Sequence, residues 1–172
     1  YRENARVLPW RPAPGGGALG DPYRVWVSEI MLQQTRVAAV LDYYRRFMAA
    51  LPAVADLAAV EEDRLMKLWE GLGYYNRVRN MQKAAIQMVE QYGGQFPESY
   101  EEIHALTGIG NYTAGAIGSF AFGIPKPAVD GNVLRVVSRI LASREDIMKA
   151  KVRTAIETAL EEVIPKDCPG DF

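Results

Sequence analysis

Cysteine is nearly missing from this 172-residue sequence: Cys168 stands alone, and His104 is the one histidine. A single cysteine cannot close an internal disulfide, and with one imidazole it leaves no Cys/His set for zinc or an iron–sulfur cluster. No thiolate-ligated metal is expected from these residues. Long apolar runs are lacking too: no stretch approaches the roughly 18–20 residues that a membrane span needs, and no short apolar block follows a basic start as in a secretory signal. A cytoplasmic location is expected. The third shortage is of positive charge, since 20 Lys+Arg against 21 Asp+Glu leave a formal net charge of −1. A basic footprint is the usual first sign of a phosphate-binding surface, so any affinity for nucleic acid has to rest on local features.

What is present is apolar sequence at helical spacing. Apolar residues make up 49% of the chain, enough to bury a core in one domain or two small ones. Val37, Val40, Leu41, Tyr44, Phe47, Met48 and Leu51 form one stripe, and Val78, Met81, Ala85, Met88 and Tyr92 another. Both predict helix faces turned to a core. The alternation of strands is nearly absent, so the fold class is all-α, with short helices punctuated at Pro52, Gly71 and Gly73, Gly93 and Gly94, Pro97 and Pro125. Residues 14–20, with three consecutive glycines, read as a loop between an N-terminal arm and a helix beginning near Asp21 and Pro22. No internal repeat is visible. The chain opens on Tyr1 and closes on Gly170, Asp171 and Phe172 without completing a helix, which predicts a fragment of a longer protein.

Residues 99–122 read as a helix, the turn LTGIG at 106–110, and a second helix rich in small residues, including Ala114, Gly115, Ala116, Gly118 and Ser119. Glycines flanking one apolar residue allow a tight turn, after which amides at the start of the second helix point outward together. Such amides bind phosphate without side-chain charge, because a helix N-terminus carries partial positive charge. Small residues would let the two helices approach closely. The plain alternative is an ordinary turn between packed helices.

Two carboxylates stand out. Glu29 sits among Trp26, Val27, Ile30, Met31 and Leu32, where partial desolvation would raise its pKa and keep a proton available near neutrality. A solvated helix acid is the alternative. Asp130, in VDGNV just before an apolar-striped helix, is placed to be an N-cap. Helix amides favour a carboxylate anion, which could face a developing positive charge on a sugar. Cleaving a glycosidic bond needs both an acid for the leaving group and a carboxylate for the oxocarbenium-like transition state.

Five stretches in order, LPWR at 8–11, SEIMLQQT at 28–35, GLGYYNRVRN at 71–80, LTGIGNYTAGAI at 106–117 and VDGNVLRV at 129–136, resemble the adenine-excising MutY branch of the helix-hairpin-helix DNA glycosylases. That superfamily also contains endonuclease III. The resemblance implies a six-helix domain over 21–122, including the hairpin at about 99–122, and an incomplete second helical domain from 1–20 with 123–172. Glu29 would protonate the imidazole-side nitrogen of adenine and later assist water. Asp130 would stabilise the sugar cation, as an ion pair or covalently, and Asn132 would help organise the site. Bifunctional relatives place a lysine at position 112 as a Schiff-base nucleophile; Tyr112 cannot form an imine, which implies a monofunctional enzyme that leaves an abasic site.

The resemblance also assigns a DNA surface. Gln34 and Tyr74 would insert into the duplex, Trp10, Arg11, Leu32 and Val37 would form the adenine pocket, and Gly108, Gly110 and Thr113 would meet the backbone at the hairpin. Plain core packing is the alternative for Trp10 and Tyr74. Arg77, Arg79, Lys83, Arg135 and Arg139 are candidates for phosphate contact or solvated helix charges. The expected partner is double-stranded DNA with adenine opposite 8-oxoguanine or guanine, bound by a monomer in the bacterial, nucleoid-associated cytoplasm, with no membrane partner. No cofactor is expected in this chain; a 4Fe-4S cluster is implied beyond residue 172, as are a later 8-oxoguanine-recognising domain and a further carboxylate of the adenine pocket. The competing readings are a thymine-mismatch or pyrimidine glycosylase of the endonuclease III type and a helix-hairpin-helix module that binds DNA without chemistry.

Overall fold

The computed structural model describes residues 6–11 and 19–172, so most of the loop expected over 14–20 lies outside the described residues. The described residues form the helices α1 Pro22–Leu32, α2 Val37–Ala50, α3 Val54–Ala59, α4 Glu62–Trp69, α5 Asn76–Tyr92, α6 Tyr100–Ala105, α7 Asn111–Phe122, α8 Gly131–Ile140 and α9 Ala150–Val163, then a 3-10 turn at Pro169–Asp171. No strand occurs among them.

Local chemistry sets most of these boundaries. Asp21 accepts the Arg24 amide at 2.8 Å and Pro22 occupies the first turn, so α1 starts where its orphan N–H groups are fewest. Ser99 accepts the Glu102 amide at 3.3 Å to cap α6. α5 and α7 end on Gly93 and Gly123, both left-handed at φ 60° and 66°, and the next amides, of Gly94 and Ile124, each close a bond of 2.9 Å back into the helix. One break has no such signal: between α1 and α2 the chain turns at Gln34 (φ 58°), in a stretch without glycine or proline.

α1 is the central helix. Eight of its residues are buried, Tyr23 and Val25 through Met31, because it packs against α7 on one side and α2 on another. Trp26 meets Phe96 edge-on at 5.4 Å, and Phe47 of α2 meets Trp69 of α4 at 6.0 Å. Phe47, Leu57, Leu65 and Met31 are fully buried, and each such side chain contributes roughly 1.5–3 kcal/mol. α3 lies along α5, and α6 and α7 form the expected hairpin. Trp10 reaches from the N-terminal segment to Tyr44, with ring centroids 5.0 Å apart. α8 and α9 pair with one another, while the 3-10 turn rests on α7.

Candidate active site

An acid in the middle of a central helix is the feature that physics would least expect. Glu29 is 4% exposed, flanked on its helix by residues that are themselves buried. Its Oε2 accepts a hydrogen bond of 3.0 Å from the Tyr112 hydroxyl, at the start of α7. Loss of water pushes the Glu29 carboxyl above its ordinary value near 4.5; the Tyr112 bond and the Arg11 charge pull the other way, and the Asp130 charge adds to the rise. Desolvation wins, as it does when few donors replace water. Burial and the neighbouring carboxylate likewise raise the Tyr112 phenol, which keeps its proton to donate.

Asp130 caps α8. Its Oδ1 accepts the Asn132 and Val133 amides, both at 2.9 Å, and its Oδ2 accepts the Asn132 side-chain amide at 2.9 Å. Asn132 in turn accepts Arg135 at 3.1 Å. The strand-like segment carrying Asp130 approaches α7 because Gly115 lacks a side chain: a Cβ there would lie 2.5 Å from the Pro127 carbonyl oxygen. Small residues on α7 were expected to serve the hairpin partner, but Gly115 faces this segment. The close approach brings the Asp130 charge within range of both Glu29 and Tyr112.

Beside these groups runs a groove of about 570 Å³, lined by Arg11, Tyr112, Phe120, Asn132, Val133 and Val137 among others. The Arg11 guanidinium lies over the Phe120 ring at 4.3 Å. A few polar groups on a mostly apolar wall is the usual make-up of a small-molecule site. Trp10 is 2% exposed and packs on Tyr44 in the core. Leu32 and Val37 are half-buried at the facing ends of α1 and α2.

The hairpin uses its glycines unequally. Gly108 is left-handed at φ +78° and a Cβ on it would meet that of Asn80 at 2.7 Å, whereas Gly110 is extended, with nothing within 4 Å of an added Cβ. Gly110 is the N-cap of α7 and offers no side-chain acceptor. The first intrahelical bond belongs to Ala114, from its amide to the Gly110 carbonyl, so the amides of Asn111, Tyr112 and Thr113 stand outside the helix ladder. Thr113 is itself buried; its hydroxyl is not on the surface, and only its amide could meet a phosphate.

Gln34 and Tyr74 are both exposed, Tyr74 at 67%, and both have left-handed backbones, φ 58° and 48°. This conformation costs roughly 1–2 kcal/mol for a residue with a Cβ. Sequence reasoning missed it: the Gly71 and Gly73 pair hinted at a special turn around Tyr74, but nothing did so for Gln34.

Two of the candidates for phosphate contact or solvated charge have partners within the chain. Arg77 spends its guanidinium on four backbone carbonyls, those of Ile30, Gln33, Leu72 and Gly73, at 2.8–3.2 Å. Arg79 pairs with Glu62 at 2.9 Å. Lys83 and Arg139 remain exposed. As for metals, no group of three or more His, Cys, Asp or Glu side chains converges among the described residues, and one cysteine does not fit a four-thiolate iron–sulfur cluster. No helix among the described residues is long and apolar enough to cross a membrane.

The chain is similar to known proteins in sequence and in fold. The adenine DNA glycosylase of Mus musculus is 43% identical over 175 aligned residues, covering 100% of this chain and 34% of the mouse protein. That of Buchnera aphidicola subsp. Baizongia pistaciae is 44% identical over 134 residues, covering 78% of this chain and 36% of its own length. The chain thus spans about a third of the length of the curated relatives it matches. Among solved structures, a thermostable thymine-DNA glycosylase superposes with a TM-score of 0.81 at 24% identity, over 97% of this chain and 76% of that one, which speaks for the fold. A non-covalent endonuclease III–DNA complex superposes with a TM-score of 0.75 at 27% identity, over 90% of this chain and 71% of that one. Residues 27–165 match the HhH-GPD superfamily base excision DNA repair proteins, and the chain belongs to that family.

Proposed function

We propose that this chain is the base-excising part of a monofunctional adenine DNA glycosylase, which hydrolyses the N-glycosidic bond of adenine opposite 8-oxoguanine or guanine in duplex DNA and leaves an abasic site. The observation that carries this reading is Glu29, a buried acid whose pKa is raised above its ordinary value by burial, bonded to Tyr112 and within electrostatic reach of Asp130. Its support is the identity to relatives called adenine DNA glycosylases, together with a DNA complex among the structural neighbours.

The chemistry divides between the two carboxyls. Glu29 gives its proton to the departing base as the C–N bond breaks and the electron pair leaves with the base. Asp130, held by three donors at the start of α8, faces the sugar cation, and Asn132 keeps that carboxylate oriented. Water then adds to the sugar and returns a proton to Glu29. General acid help of this kind contributes about 10²- to 10⁴-fold. The amine required for a Schiff base is absent at position 112, where Tyr112 stands.

Reaching the base requires taking it out of the stack, at a few kcal/mol. Gln34 and Tyr74 would offset part of that by entering the duplex, and the free amides at the head of α7 would hold the backbone. Arg11 and the groove beside Tyr112 would receive the base, with Trp10, Leu32 and Val37 shaping that region from within. The division into 21–122 and 1–20 with 123–172 belongs to the same proposal, as do a monomer and a nucleoid-associated location. Any iron–sulfur cluster would need thiolates from outside these 172 residues.

The test is release of free adenine by the intact protein from duplexes carrying adenine opposite 8-oxoguanine, opposite guanine or opposite thymine, with thymine–guanine and oxidised-pyrimidine duplexes alongside. Adenine release from the first two, lost in Glu29→Gln, is expected. Release of only pyrimidines, or an unchanged rate in Glu29→Gln, overturns the proposal.

A further inference from the structure

Arg77 holds no ion pair among the described residues, yet its side chain is half-buried and makes more backbone contacts than its charge alone would require. Its Nη1 donates to the Ile30 and Gln33 carbonyls, both at 2.8 Å, at the end of α1; its Nη2 donates to the Leu72 and Gly73 carbonyls at 2.9 and 3.2 Å, in the loop before α5. Gln33 immediately precedes Gln34, and Gly73 immediately precedes Tyr74. Both are exposed and have left-handed backbones, as has Ala142 just past the end of α8. One planar guanidinium therefore grips the peptide carbonyl just before Gln34 and the one just before Tyr74.

Strained backbone persists only where its surroundings over-determine it. Gln34 occupies the position after the C-cap of α1, where glycine is usual, and Tyr74 precedes α5 with a full aromatic side chain exposed. The Gly73 carbonyl has a second donor, Trp69 Nε1 at 3.0 Å, and the guanidinium lies 5.5 Å from the Tyr74 ring centre and 5.4 Å from that of Trp69. Arg77 thus fixes both backbones and the distance between them, which neither segment could do alone because they are about forty residues apart in sequence, so that only a cross-link in space ties them.

We infer that Arg77 is the positioning residue that holds Gln34 and Tyr74 at a fixed mutual spacing, so that both side chains enter one duplex beside the base to be extruded. This rests on the proposed function for its DNA part and on the hydrogen bonds alone for its backbone part. A lysine keeps the charge but has no fork with which to reach both loops.

The test has two arms, both on the intact protein. In the first, thermal unfolding of Arg77→Lys is compared in the native background and in one carrying Gln34→Gly and Tyr74→Gly, where left-handed backbone carries no penalty. In the native background the lysine variant can regain the strain by letting both loops relax, so Arg77→Lys is expected to lower Tm by about 2–4 °C there and by about twice that in the glycine background, where no strain is left to regain. Equal losses in both overturn it, since Arg77 would then be an ordinary bond donor.

In the second arm, a duplex with 2-aminopurine opposite 8-oxoguanine reports unstacking by its emission, read per bound complex alongside anisotropy. The wild type is expected to raise the emission and Arg77→Lys to lose at least half of that rise, on the order of the unstacking contributed by inserted side chains. A full rise in Arg77→Lys overturns the inference. No rise in the wild type overturns the proposed function, and the first arm then still decides the role of Arg77.

Discussion

The Tyr112 hydroxyl donates a hydrogen bond of 3.0 Å to Glu29 Oε2 across the interface between α7 and α1, and it is the hydrogen bond through which the buried acid is held. Tyr112→Phe removes a donor that lowers the Glu29 value, so Glu29 rises further. The alkaline limb of the excision–pH profile is expected to move to higher pH, while the maximum rate falls about tenfold or more, because misplacing a catalytic group can cost on the order of 10²-fold. If the limb stays where it is, Tyr112 does no more than pack.

Burying Glu29 also carries a stability cost that depends on pH. The carboxyl value is raised in the fold above its ordinary 4.5, so the contribution of this group is fully present below that ordinary value and is lost as pH rises through the raised one. Glu29→Gln does not titrate. It is expected to be more stable than the wild type at neutral and alkaline pH, by about 1.4 kcal/mol for each unit of the rise, with the gap closing near pH 4. Denaturant midpoints at several pH values measure this, and a gap that widens toward acid contradicts it.

Asp130 has two separable duties. Asparagine caps a helix as well as aspartate does, whereas alanine loses about 0.5–2 kcal/mol. Asp130→Asn is therefore expected to keep Tm within roughly 2 °C of the wild type and to lose excision, while Asp130→Ala loses both. Excision retained by Asp130→Asn would reduce Asp130 to a cap.

The two hairpin glycines should respond differently to a methyl group. Gly108→Ala meets Asn80 at 2.7 Å and a left-handed backbone, and is expected to cost about 1–3 kcal/mol and to weaken duplex binding. Gly110→Ala, with extended backbone and open space, is expected to cost less, about 0.5–1 kcal/mol for the poorer N-cap, and to bind as before. Anisotropy at several salt concentrations and thermal unfolding distinguish them.

Helix positions were largely readable because their signals are local. The stripe through Val40, Tyr44 and Phe47, the start at Asp21 and the stop at Gly93 each act within a turn or two. Glu29 was readable as an oddity for the same reason, since its apolar neighbours lie on its own helix. The role of Arg77, a candidate for phosphate contact or a solvated charge, was not readable because its partners are carbonyls on a distant helix end and a separate loop. Left-handed Gln34 had no glycine or proline to announce it.

By itself the amino-acid sequence determined the helical class, most helix ends and the identity of the two carboxylates, because periodicity, capping and turn chemistry are short-range. Only the tertiary structure decided that Tyr112 bonds to Glu29, that Gly115 admits the segment bearing Asp130, and that Arg77 joins Gln34 to Tyr74. Those relationships depend on how residues tens of positions apart are packed against one another, and burial, which is a property of that packing, is what pushes the Glu29 carboxyl above its ordinary value.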